Sequence, residues 1–80
     1  MTVNYTPKGV CSRLISFDLN DNIVTNLKVT GGCNGNLQGI AKLVEGMPAD
    51  EVIRRLENIN CNGKGTSCPD QLAQALKEHI

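Results

Sequence analysis

Residues 10–30 read VCSRLISFDLNDNIVTNLKVT, and the period of this stretch decides the fold. Cys11, Arg13, Ile15, Phe17 and Leu19 share one parity; Ser12, Ser16 and Asp18 hold the other, with Leu14 as the exception. Alternation of this kind marks a strand buried on one face. Asn20-Asp21-Asn22 interrupts it, and Asn and Asp tolerate the left-handed conformations of tight turns. The alternation then resumes, with Ile23, Thr25, Leu27 and Val29 against Asn26, Lys28 and Thr30. Two strands around an Asn/Asp turn predict an antiparallel hairpin. Residues 3–6, ahead of Pro7, offer a third strand.

Downstream the period changes. Gly31-Gly32-Cys33-Asn34-Gly35-Asn36 ends the sheet, and Leu37, Ile40, Ala41 and Val44 follow at helical spacing. Asn34 or Asn36 could cap the start of this helix, and Gly46 its end. Pro48 at a first-turn position, with Asp50 and Glu51 against the positive helix end, opens a second helix whose stripe is Val52, Ile53, Leu56 and Ile59. Asn60 to Gly65 is a polar loop. Pro69 and Asp70 then open a third helix, with Leu72, Ala73, Leu76 and Ile80 inward. A sheet first and helices after it predicts an α+β fold, the helices drawn from residues 36–80 and packed on one sheet face.

The chain is 80 residues with a hydrophobic fraction of 40%, one Phe, one Tyr and no Trp, so one domain spanning residues 1–80 is expected. At this size a core alone rarely supplies more than ~3–5 kcal/mol, and a disulfide or metal staple is common. Eight Lys+Arg balance eight Asp+Glu with no run of like charge. That argues against nucleic acid, which needs a basic field, and against a polybasic membrane patch. Apolar stretches are far shorter than the ~18 residues of a membrane-spanning helix. Met1-Thr2-Val3-Asn4-Tyr5 has no charged region followed by an apolar one, so a signal peptide is not expected and the cytoplasm is the predicted compartment. Thiols stay reduced there, which turns attention from disulfides to metal or redox chemistry.

The four cysteines are Cys11, Cys33, Cys61 and Cys68. None is spaced as the knuckle of a zinc finger. Placement says more than spacing. Cys33 precedes the first helix and Cys68 stands directly before Pro69, and a helix N-terminus favours a negatively charged sulfur, the form that binds metal or attacks a disulfide. Cys33 and Cys61 sit among Gly and Asn, which let backbone bend closely around an ion. Cys11 has core parity on its strand. Against this, free cysteine often serves as a small apolar filler. Taken together the residues leave a shared metal site, a thiol redox pair and plain core filling open.

The remaining polar residues point to ordinary roles. His79, the only histidine, compensates a helix C-terminus. Asp50 and Glu51 are helix-start charges, and Arg54 and Arg55 face solvent. Gly63-Lys64-Gly65-Thr66 is similar to the tail of a phosphate-binding loop but lacks its upstream glycine spacing and strand.

At Thr66-Ser67-Cys68-Pro69-Asp70 the chain carries the motif of the TSCPD domain family. Together with Gly31-Gly32-Cys33-Asn34-Gly35-Asn36, the Gly46 turn and Cys61, the chain resembles a short stand-alone member of that family. The family also occurs as the C-terminal domain of vitamin B12-dependent ribonucleotide reductases, and its cysteines imply metal binding. A more distant resemblance is to the U-type iron–sulfur cluster scaffold proteins, carried by the hairpin, the Gly-Cys before a helix, Gly46-Met47-Pro48-Ala49-Asp50-Glu51 and a Cys opening the last helix. That pattern implies a zinc ion or iron–sulfur cluster on Cys11, Cys33 and Cys68. The scaffold pattern has Gly-Asp where Ser12-Arg13 stand here and His where Ser67 stands, and it has no counterpart of Cys61. A fourth thiolate in place of those groups would close the coordination sphere, as in structural zinc and stable iron–sulfur sites.

The expectation is therefore a metal-binding accessory domain with Cys11, Cys33, Cys61 and Cys68 around one zinc ion or iron–sulfur cluster, associated with a ribonucleotide reductase or similar partner. Eighty residues cannot house a reductase's radical core, so catalysis by this chain alone is not expected. The rival is a thiol–disulfide redox module for such a reductase, with Cys61 and Cys68 exchanging disulfides.

Overall fold

The computed structural model describes residues 1–10, 12–31, 34–60, 63 and 65–80, with the side chain of Asn34 outside that set. The elements are β1 (Thr2–Tyr5), β2 (Ser12–Asn20), β3 (Ile23–Gly31), α1 (Asn34–Val44), β4 (Met47–Pro48), α2 (Ala49–Leu56) and α3 (Cys68–Lys77). All strand pairs are antiparallel, in the order β1-β2-β3-β4. The α+β arrangement and the hairpin agree with the sequence reading.

The hairpin closes where the Asn/Asp run stands. Asn20 pairs with Ile23, and Asp21 and Asn22 between them adopt φ +52° and +62°. Two positive values in a two-residue loop give a type I′ turn, whose twist matches that of the flanking strands. Val3 opposes Phe17 and Tyr5 opposes Ile15 across β1 and β2. These residues, with Leu19, Val24 and Leu27, form the buried face of the sheet. Ala49, Val52 and Ile53 of α2 and Leu72, Ala73, Ala75 and Leu76 of α3 complete a single core. Each large side chain buried this way contributes roughly 1.5–3 kcal/mol.

Several features differ from the sequence reading. Strict alternation along β3 places Ile23 and Thr25 inside, yet Val24 is the fully buried residue. Asn26, at φ +54°, inserts an extra residue opposite β2 and reverses the parity before Leu27. A second irregularity lies between Ser12 and Leu14, so Ser12 is buried and Arg13 is exposed. Pro48 is the residue before α2, not within its first turn; Met47–Pro48 pairs with Val24 and Ile23 as a short edge strand, where a proline's missing N–H costs nothing. Ile59 and Ile80 are exposed at 41% and 55%, because each lies past the end of its helix. Asn58 at φ +65° follows the α2 C-cap and turns the chain away before Ile59.

Gly46, at φ +78°, ends α1 as expected, and its N–H donates to Val24 O at 2.7 Å. Asn34 is already helical, so it does not cap α1 from outside, and Asn36 lies inside the helix. Among the described residues no helix is long and apolar enough to cross a membrane.

Candidate metal centre

Each residue of Thr66-Ser67-Cys68-Pro69-Asp70 has a distinct physical task at the start of α3. Ser67 is the N-cap: its backbone is extended, and its Oγ accepts the Asp70 N–H at 3.1 Å. Cys68 is the first helical residue and Pro69 the second, a position whose N–H lacks a helical acceptor, so proline loses nothing there. Asp70 is only 5% exposed. One of its oxygens accepts the Asn58 N–H at 2.7 Å and Gln74 Nε2 at 3.4 Å, while the other accepts the Thr66 hydroxyl at 2.6 Å.

Burial is the largest single influence on the Asp70 carboxyl and acts to raise its pKa. Hydrogen bonds from Thr66, Asn58 and Gln74, aided by the charge of Lys77, outweigh it and hold the carboxyl below its ordinary range. Gln71 extends the clamp to the N-terminal segment. Its Nε2 donates to Thr66 Oγ1 at 2.9 Å, and its Oε1 accepts the Lys8 N–H at 3.0 Å and the Tyr5 hydroxyl at 3.4 Å. The start of α3 is thus tied both to the end of α2 and to the chain after β1.

What this clamp presents is a half-buried free thiol, Cys68. Ser12 Oγ donates to Cys68 Sγ at 3.2 Å. Cys68 borders an open, mainly apolar cavity of about 560 Å³ between α1, the loop after α2 and α3. Gly35, Gly39 and Leu43 of α1 line it together with Ile59 and Asn60.

Of the four predicted ligands, Cys68 alone belongs to the described residues; Cys11, Cys33 and Cys61 lie outside them, as does the reading of Cys11 as core-facing. Among the described residues no group of three or more His, Cys, Asp or Glu could hold a metal ion. Described chain neighbours of the other three cysteines contact Cys68, pair with the residue that does, or line the cavity it borders. Ser12, next to Cys11, donates to its sulfur and pairs with Gly31, two residues before Cys33. Gly35, two residues after Cys33, and Asn60, directly before Cys61, border the same cavity.

His79 is exposed near the chain end. Arg54 and Arg55 are exposed and hold Glu51, whose carboxyl their hydrogen bonds keep below its ordinary range. Gly63 and Gly65 have φ +76° and +80°, Lys64 is outside the described residues, and the Thr66 hydroxyl is engaged with Asp70. Sequence reasoning missed Ser12 and Gln71 as partners of the motif. Gln71 carried no local signal, and Ser12 had the parity of the exposed face.

The family model of the TSCPD domain matches residues 1–80, the whole chain. No curated protein and no solved structure matches it.

Proposed function

The chain belongs to the TSCPD domain family, and on that premise we propose that it is a cytoplasmic metal-binding accessory domain whose Cys11, Cys33, Cys61 and Cys68 hold one zinc ion or iron–sulfur cluster. The observation that carries the reading is the surroundings of Cys68. Cys68 stands at a capped helix start, its sulfur accepts a hydrogen bond from the residue next to Cys11, and it borders a cavity also lined by near neighbours of Cys33 and Cys61.

The donor set fits such a group. Four thiolates are a complete tetrahedral complement for zinc, and they also serve iron–sulfur clusters. When bound, the group supplies folding energy and a fixed point between sheet and helices. With every position filled by protein, no place would be left for a substrate or an activated water, so the site would be structural and not hydrolytic. In this reading the likeness to U-type scaffold proteins extends to the fold, with Cys61 replacing their non-thiol ligands, and the partner is a ribonucleotide reductase-type protein.

Anaerobic purification without added metal, followed by elemental analysis, sulfide assay and a visible spectrum, tests the proposal. The expected result is stoichiometric zinc, or iron with acid-labile sulfide. Metal-free protein with reversible Cys61–Cys68 disulfide formation would overturn it in favour of the thiol redox reading.

A further inference from the structure

We infer that Ser12 is a positioning residue for Cys68, and that the irregularity in β2 aims its hydroxyl at the sulfur. This rests on the metal reading above for its consequence, though not for its geometry.

Ile15, Phe17 and Leu19 face the core of β2 at 0%, 1% and 6% exposure. Counting back by twos puts Arg13 inside and Ser12 outside. The structure shows the reverse, with Arg13 exposed and Ser12 buried at 4%. The register explains it. Ser12 pairs with Gly31 and Leu14 with Thr30, so β2 holds one residue more than β3 over this step. Such bulges re-aim a side chain, and they recur beside functional sites.

The side chain re-aimed here is one that packing does not require. A buried hydroxyl needs a hydrogen-bond partner, whereas a small apolar residue would fill the same space without one. Among the described residues, the partner of Ser12 Oγ is Cys68 Sγ, at 3.2 Å. The O–H is the donor, so it favours one orientation of the sulfur and shares the charge of a bound thiolate. Hydrogen bonds onto ligand atoms orient them and strengthen the site; losing such a partner typically weakens metal affinity ~10–100-fold.

Ser12→Thr and Ser12→Val, nearly equal in shape but differing in the hydroxyl, separate the hydrogen bond from packing. Two readouts are needed. In reduced, metal-free protein, Cys68 Hα–Hβ couplings should report a single χ1 rotamer for wild type and Ser12→Thr, and averaged rotamers for Ser12→Val. In a cobalt(II) titration against a competing chelator, Ser12→Val should bind about 10-fold more weakly, with a shifted thiolate-to-cobalt charge-transfer band, while Ser12→Thr matches wild type. Averaged Cys68 rotamers in wild type, or identical rotamers and cobalt affinity in Thr and Val variants, would overturn the inference. A locked rotamer in a wild type that takes up no cobalt would refute the metal reading and leave the positioning role standing.

Discussion

The starts of α2 and α3 solve one problem in different ways. Both helices must satisfy free N–H groups at their first turn. At α2 there is no side-chain cap; Pro48 precedes the helix in an edge strand, the Ala49 N–H donates to Asn22 O at 2.7 Å, and Asp50 and Glu51 supply charge near the positive end. At α3 a buried serine caps, a buried aspartate draws in the preceding loop, and a buried glutamine reaches the segment after β1. The first start serves the fold alone, and backbone pairing suffices. The second presents a thiol, and its position is fixed by side chains from several directions. A polar network of that kind is costly to disturb, which is why it discriminates between the two starts.

Four perturbations should separate them, in falling order. Removing the metal comes first. Structural zinc is worth ~10–16 kcal/mol in finger peptides, against the ~3–5 kcal/mol a core of this size provides. Scanning calorimetry of loaded and chelator-stripped protein should therefore show a large drop in melting temperature, the stripped chain staying folded at low temperature on its core alone. Equal melting temperatures would remove the metal from the account of stability.

Next is Asp70→Ala, which leaves the Asn58 N–H and the Thr66 hydroxyl without their acceptor in a buried setting. A loss of about 3 kcal/mol is expected in urea denaturation. The same carboxylate sets a pH dependence. Its folded pKa lies below the ordinary value of 3.8, so its contribution is complete above that value and is lost as pH falls through the lowered one. Wild type should lose stability across that acid range more steeply than Asp70→Asn; parallel curves would show that the network does not depend on the charge.

Ser67→Ala removes the α3 cap at a cost of about 1 kcal/mol. Glu51→Ala at α2 should be the smallest, with a transition that overlays wild type, because its ion pairs with Arg54 and Arg55 are on the surface. A larger effect at Glu51 than at Ser67 would reverse the contrast between the two helix starts.

The sequence was informative where physics is local. Alternation and Asn20-Asp21-Asn22 carry the hairpin, because strand period and left-handed tolerance are properties of neighbouring residues. The helix starts at Asp50 and Asp70 were legible for the same reason. Ile59 and Ile80 misled, since apolar periodicity does not mark where a helix stops; Asn58 was the available sign for the first. The irregularities at Ser12–Leu14 and Asn26 reverse strand parity and depend on cross-strand register, which no short window contains. In the motif, Pro69 and Asp70 were readable as a helix start, whereas Ser67 went unread as its cap. The ties of Asp70 to Asn58 and of Gln71 to Lys8 exist only once the chain has folded.

If four thiols share one ion or cluster, metal content per chain must depend on each of them. Wild type and His79→Ala, purified anaerobically in parallel, should each carry a full complement. Cys11→Ser, Cys33→Ser, Cys61→Ser and Cys68→Ser should each fall well below it. A full complement retained in any one of the four serine variants would contradict the four-thiolate site.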